Sequence, residues 1–323
     1  MTDFEPVTDL EPVTDVSRAP ARAARGNRAV GAAEDVAAAV MAAEAAARKA
    51  GVQVREIGSL VELDAVYRLY DEIWRPDVAN PPVTRELLRA LSKAGSYVAG
   101  AFDAGALVGA CVGFFGAPAE GRLHSHIAGV SDATRGRSVG FALKVHQRAW
   151  ATLRGVSVVE WTFDPLVRRN AYFNIGKLAA RPTEYLVNFY GGMHDAINGD
   201  DDSDRLLVRW ALGAPDVAAA CGGAGVDADA RAEEAAGADI ALGRSQSGAP
   251  CLGPRTAPSV LVAVPLDIEA LRRRDPPLSR DWRLAVRDVL GSLLDDGRRI
   301  TGFDRTGCYV LHHPDHPGNE ARR

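Results

Sequence analysis

The chain has 323 residues, 47% hydrophobic and 25% charged, with a formal net charge of −4. That balance excludes collagen, coiled coils and a wholly disordered chain, and it supplies no global basic field to draw the protein onto nucleic acid or anionic membrane. No apolar run reaches the ~20 residues of a bilayer span, Met1 to Ser17 is acidic rather than signal-like, and Cys111, Cys221, Cys251 and Cys308 lack CxxC spacing. A cytoplasmic protein with reduced thiols is expected.

In chain order, the duplicated Glu5-Pro-Val-Thr-Asp9 and Glu11-Pro-Val-Thr-Asp15 precede Ala, Arg and Gly without apolar period, so residues 1–28 read as a disordered tail. Alanine dominates residues 29–51 up to Gly51, which predicts a helix by propensity. Val52 to Ile57 alternates as a strand. Leu63, Val66, Tyr67, Tyr70, Ile73 and Trp74 then share a helical stripe. A second helix runs from Thr84, a plausible N-cap, to Ala94, and strands Tyr97–Phe102 and Ala106–Phe115 flank the hairpin signal Asp103-Ala-Gly105.

Next come a strand at Leu123–Val130, a basic glycine-bearing turn, a helix at Val139–Arg154 and a strand at Val156–Phe163, the order of a parallel crossover unit. The helix is expected to turn Val139, Ala142, Leu143, Ala149 and Leu153 inward and Lys144, Gln147 and Arg148 outward, with His146 a satisfied core histidine. A helix at Arg169–Leu178 and a strand at Arg205–Trp210 follow. Ala, Gly, Asp and Ser then crowd residues 214–257, which read as a flexible linker. Structure returns in residues 258–323: a strand at Ser259–Pro265, a helix at Trp282–Asp295 and a hairpin at Ile300–Leu311, a piece small enough to need packing on the core. The acidic run Asp200, Asp201, Asp202 and Asp204 lacks calcium-loop spacing and reads as a solvated loop, and His312, His313 and His316 read as incidental.

The stretch from Ile127 to Leu143 carries the strongest chemical signal. A strand that runs through a basic turn into a helix presents N–H groups and the positive helix end to phosphate. Arg135 and Arg137 add charge, and Gly136 and Gly140 let the main chain approach closely. Here the sequence resembles the GNAT superfamily of acyl-CoA-dependent N-acyltransferases, whose loop reads (Gln/Arg)-x-x-Gly-x-(Gly/Ala). This chain reads Arg135-Gly-Arg-Ser138-Val-Gly140, with Ser138 in place of the first glycine. Trp161-Thr-Phe-Asp-Pro165, Asn170-Ala-Tyr-Phe-Asn174, Lys177-Leu178, Tyr190-Gly-Gly-Met193, Ser203-Asp-Arg205, Val208, Trp210, Trp282-Arg283 and Arg287 look like a larger, poorly characterised bacterial branch of predicted acetyltransferases.

The resemblance covers about Val52–Leu212 and Val260–Leu311. It implies an α/β (α+β) fold: a mixed, mostly antiparallel central sheet with splayed parallel fourth and fifth strands and helices on both faces. It makes residues 52–213 the acyltransferase domain and 258–323 a C-terminal α/β extension. It further implies acetyl-CoA or another short acyl-CoA as co-substrate, its pantetheine between the splayed strands. Val130, Arg135, Gly136, Arg137, Ser138, Val139, Gly140 and Asn170 are then the candidate cofactor contacts.

His126 lies four residues back from Val130, roughly 13 Å of strand, and is the first candidate base because an imidazole titrates near neutrality. Glu160 is the second. The bland alternatives are a hydrogen-bonded His124/His126 pair in a half-buried sheet and a salt-bridged Glu160. The His-x-His spacing suits zinc but lacks a third ligand, so no metal is expected. The tyrosine that many members carry as acid falls at Asn174 or Ile175. The function expected is transfer of an acetyl or other short acyl group to the amine of a small molecule, without nucleic-acid or membrane partners and with a homo-oligomer open. The alternative is a non-catalytic acyl-CoA-binding module.

Overall fold

The computed structural model describes residues 22–76, 81–192 and 201–314, with the side chains of the first helix from Glu34 onward. Residues 1–21, Met193, Asp200 and His316 lie outside them. Helix α1 (Arg22–Ala50) begins earlier than expected, and Ala39, Ala43, Ala46 and Ala50 at helical spacing bury its inner stripe against α4 (Val139–Leu153). Side chains this small let two helix axes approach closely.

A seven-stranded sheet follows, in the order β1-β2-β3-β4-β5-β7-β6, from β1 (Gln53–Glu56), β2 (Tyr97–Asp103), β3 (Ala106–Phe115), β4 (Arg122–Val130), β5 (Val158–Phe163), β6 (Arg181–Leu186) and β7 (Arg205–Ala211). Every neighbouring pair is antiparallel except β4 and β5. The β2–β3 turn is made by Ala104 and Gly105, both at positive φ (47° and 87°), the conformation that matches strand twist in a tight hairpin. Strand alternation divides the core. Val98, Ala110 and Val112 point to α2 (Leu60–Trp74) and α3 (Arg85–Lys93), whereas Tyr97, Ala99 and Cys111 point to α4. Ser59 and Thr84 cap α2 and α3 by accepting the N–H of Glu62 and Leu87.

The helix expected after β5 is present, as a single α-turn, α5 (Arg168–Ala171), that widens into a π-helical turn at Tyr172–Lys177. β6 was not foreseen because its Arg-Pro-Thr-Glu sequence lacks apolar alternation. On α4 the expected outer face is buried: Lys144 is 4% exposed and Gln147 and Arg148 are equally covered, while the expected inward Leu153 is 57% exposed. The cause is packing on both sides, by the sheet and by α1, which leaves α4 without a fully solvated face.

Residues 214–257 are a structured part of the protein rather than a flexible linker. They hold α6 (Pro215–Cys221), α7 (Ala230–Ala235), β8 (Asp239–Arg244) and β9 (Pro250–Leu252). With β10 (Ser259–Ala263), α8 (Ile268–Arg274), α9 (Pro276–Asp295), β11 (Arg299–Asp304) and β12 (Cys308–His312), they build a five-stranded sheet in the order β11-β12-β10-β8-β9. Read from its other edge, β9-β8-β10-β12-β11 repeats the directions of β3-β4-β5-β7-β6, including one parallel pair, β8 with β10. The short, small-residue strand Asp-Ile-Ala-Leu-Gly-Arg hides this role from a periodicity reading.

The two sheets are joined by charge. Arg283 on α9, 1% exposed, donates two bonds of 2.9 Å to the Asp164 carboxylate after β5 and reaches Asp201 at 3.0 Å. Arg272 on α8 adds 2.7 and 3.2 Å bonds to the same two acids, and Arg287 holds Asp202 and Asp204 at 2.7 and 2.8 Å. Asp201, Asp202 and Asp204, expected in a solvated loop, are instead interdomain partners. The Tyr309 hydroxyl, donating to the Pro165 carbonyl, serves the same seam, while Trp161 Nε1 to Asn174 Oδ1, Tyr185 to Asp204 and Trp210 Nε1 to the Leu178 carbonyl brace the first sheet behind it.

Candidate functional site

The site begins where β4 and β5 part. Their parallel register covers only Arg122–Val158, Leu123–Val159 and His124–Glu160, so from Ser125 to Val130 β4 has no β5 partner. Opposite β3 the register slips: Gly113 pairs with Ser125 and Val112 with Ile127, which leaves His126 as the additional residue of a β-bulge. A bulge bends its strand and sharpens its twist, and here it coincides with the separation. Ala128 is exposed in mid-strand, as expected of an edge left open.

Beyond Val130 the chain makes a 3-10 turn at Asp132–Thr134, stabilised by Thr134 N–H and Oγ1 on the Ser131 carbonyl at 3.1 Å, and then enters α4. Gly136 (φ 83°) and Ser138 (φ 65°) both adopt the left-handed conformation. Ser138 is the helix N-cap yet makes no side-chain capping bond, so the first-turn N–H groups, which have no intrahelical partner, are left open to an external acceptor.

These N–H groups face a cleft of about 990 Å³ that Val130, Arg135, Gly136, Ser138, Val139 and Gly140 line. The ends of α1 and α2, the π-helical turn and α8 complete it. Six basic side chains, Lys49, Arg75, Arg135, Arg169, Lys177 and Arg273, stand against three acidic ones, Glu72, Asp132 and Glu269. Two of those acids are already paired, Asp132 with Arg135 at 2.6 Å and Glu269 with Arg169 at 2.7 Å. The cleft is therefore an electropositive hollow with main-chain donors on one wall, suited to phosphate.

Of the expected cofactor contacts, Arg137 turns elsewhere. Its guanidinium binds Asp103 at 2.5 Å and the carbonyls of Ala50 and Gly51 at 3.2 and 3.1 Å, tying the end of α1 to the β2–β3 hairpin. Asn170 does not line the cleft; its neighbours Arg169 and Phe173 do. The basic residues contributed by α1, α2 and α8 escaped sequence reading because they are distant in the chain, although Lys177 lay within a motif already noted.

The candidate bases lie on the sheet face opposite α4. His126 is half-buried, its ring centroid 5.9 Å from Phe114 and 6.2 Å from His124. Burial pushes its pKa below the ordinary histidine value, against a hydrogen bond to the Pro82 main chain that raises it, so it is neutral at pH 7 and able to accept a proton. His124 is pushed down to about 4 by burial, by His126 and by Lys144. Glu160 has both oxygens on guanidinium groups, Arg122 at 2.9 Å and Arg209 at 3.1 Å. Beside it Thr162 Oγ1 lies 3.0 Å from the Tyr190 hydroxyl, which the loop after β6 supplies. Among the described residues no group of three or more His, Cys, Asp or Glu side chains is placed to hold a metal ion.

The fold is mixed α/β, with a seven-stranded sheet, a parallel β4–β5 pair and a second sheet toward the C-terminus. About half of the chain matches solved acetyltransferase structures. One is an N-acetyltransferase from Staphylococcus aureus Mu50 (16% identity, 50% of this chain and 98% of that one, TM-score 0.41). Another is an acetyltransferase of the GNAT family from Streptococcus pneumoniae (10%, 49% and 98%, 0.41). A third is the ribosomal-protein-S18-alanine N-acetyltransferase from Escherichia coli (11%, 50% and 94%, 0.40). No protein-family profile and no curated protein matches the sequence. No helix among the described residues is long and apolar enough to cross a membrane.

Proposed function

We propose that this chain is an acyl-CoA-dependent N-acyltransferase that moves a short acyl group to the amine of a small molecule. The observation that carries the reading is the continuity of an electropositive cleft at the start of α4 with the unpaired edge of β4. CoA phosphates would take the first-turn N–H groups together with Arg135 and Lys177, and the pantetheine amides would pair with β4 from Val130 inward. At the bulge the amine nitrogen attacks the thioester carbonyl, a C–N bond forms and the C–S bond breaks. His126 takes the proton of the amine, and CoA leaves as a thiol once its sulfur is protonated. Glu160, locked between Arg122 and Arg209, keeps the mouth of the strands in shape rather than accepting the proton.

Isothermal titration with CoA and acetyl-CoA tests the reading. Saturable binding that weakens about tenfold in Lys177→Ala or Arg135→Ala supports it, and no binding of either compound overturns it. His126→Ala should leave CoA affinity unchanged and lower turnover roughly 100-fold in a screen of amines by thiol release. A second reading, a non-catalytic acyl-CoA-binding module, is favoured by the engagement of Glu160 with two arginines. Thiol release above the buffer rate with any amine excludes it.

A further inference from the structure

The buried end of the open strand edge holds an ammonium group. Lys144 Nζ donates to Ser125 Oγ at 3.0 Å and to Gln147 Oε1 at 2.7 Å, and it lies 3.6 Å from the centroid of the Trp161 ring. Ser125 and Trp161 each follow the last paired positions of β4 and β5, His124 and Glu160, so the ammonium sits in the angle where the two strands separate.

Among the described residues no carboxylate accompanies it. The titratable groups that face it are the Cys111 thiol on β3, reached through Ser125 and Gln147, and His124 on the far side of β4. Burial raises the Cys111 pKa and keeps it a neutral thiol, and His124 is pushed down to about 4, so neither supplies negative charge. An ammonium buried without a carboxylate is costly, and two neutral acceptors and an aromatic face offset only part of that cost. Burial accordingly pulls the Lys144 pKa down to about 8, which still leaves it mostly charged at pH 7.

The open strand edge leads from the cleft toward this charge. From Val130, on the cleft wall, to Ser125 is about 17 Å of strand whose β5-facing edge is unpaired and whose middle residue Ala128 is exposed. A thioester lying along it would direct its acyl group toward the buried end.

We propose that the acyl group accepted by this protein ends in a carboxylate, a short dicarboxylic acyl-CoA of the malonyl or succinyl kind, and that Lys144 is its counter-charge. The proposal rests on the acyl-CoA reading above. The carboxylate replaces the Gln147 amide oxygen or the Ser125 hydroxyl as acceptor from Nζ, neutral partners that yield readily to a charged one. Away from water, that pairing discriminates strongly against an acetyl group.

The test compares CoA, acetyl-CoA, malonyl-CoA and succinyl-CoA by titration calorimetry with the full chain. At least tenfold tighter binding of malonyl-CoA or succinyl-CoA than of acetyl-CoA is expected, with the preference abolished in Lys144→Met and CoA binding retained as the measure of folding. Gln147→Glu is the second variant: its internal carboxylate should neutralise Lys144 and remove the preference while the lysine stays. Equal affinity for acetyl-CoA and the dicarboxylic compounds, or a preference that survives both substitutions, overturns the assignment. Failure of all four to bind would sink the acyl-CoA reading itself, a separate result.

Discussion

The described residues contain two parallel strand pairs in similar surroundings, and only one of them borders the electropositive cleft. β4 and β5 are joined by a basic turn and the α4 crossover, whereas β8 reaches β10 through the β9 hairpin and a loop with no intervening helix. Only the first pair therefore ends at a helix N-terminus with free N–H groups, and only it carries the bulge that coincides with strand separation. The second sheet repeats the strand directions without the means of binding an anion at that position. It contributes instead a wall, through Glu269 and Arg273 of α8, and a brace, through Arg272, Arg283 and Arg287. A parallel pair is thus a frame, and the connection between its strands decides whether it becomes a site.

The brace offers the largest expected effect. Arg283→Met leaves the buried Asp164 with Arg272 as its remaining strong partner and should cost about 3 kcal/mol in urea denaturation. Unchanged stability would mean that the second sheet is an appendage. Burial opposes ionisation of Asp164, but Arg283 and Arg272 outweigh it and hold its pKa well below the usual carboxylate range. The folded value is below the unfolded one, near 4, so the contribution is complete above that value and is lost as pH falls below about 4. Acid melts should show a steeper loss in the native chain than in Arg283→Met.

The contrast between the two pairs also explains what was legible in the sequence. The crossover was readable because a loop and an amphipathic helix are local: Thr84, Asp103-Ala-Gly105 and Arg135 to Gly140 each announce their element within a few residues. The second sheet was not, because β8 is short and poor in large side chains and takes its place by pairing with β10 some twenty residues on. The acidic run and Arg283 were seen separately as motifs, but a buried ion pair whose partners, Asp201 and Arg283, stand 82 positions apart leaves no local period. Lys144 was misplaced for a related reason. Helical periodicity assigns a lysine to the solvated face, whereas Lys144 reaches Ser125 and Trp161 on the sheet side of α4.

The uncompensated Lys144 sharpens the comparison at an intermediate scale. Its folded pKa, about 8, lies below its unfolded one, near 10.4, so the folded state carries the cost of the charge in full below pH 8. That cost is relieved as pH rises from 8 toward 10. In calorimetric melts the native chain should gain on Lys144→Met across that window by about 1–2 kcal/mol. At pH 7 the variant should melt no lower than the native chain, since it trades two hydrogen bonds for removal of a buried charge. A parallel pH dependence for the two proteins would show that the ammonium is adequately compensated within the fold.

The smallest effect concerns the loop itself. Ser138 holds φ at 65°, a conformation that costs an L-residue roughly 1 kcal/mol, and its hydroxyl makes no capping bond that would repay it. Ser138→Gly removes the strain and loses no hydrogen bond, although glycine's greater freedom in the unfolded chain takes back part of the gain. A net stabilisation of about 0.5 kcal/mol is expected, whereas Ser138→Val, branched at Cβ, should destabilise by more than 1 kcal/mol. CoA titrations on the same pair separate strain from ligand contact. If the serine serves only as backbone, glycine binds CoA at least as well as serine. Weaker binding by the glycine variant would assign the hydroxyl to the phosphates and explain why a strained serine stands there.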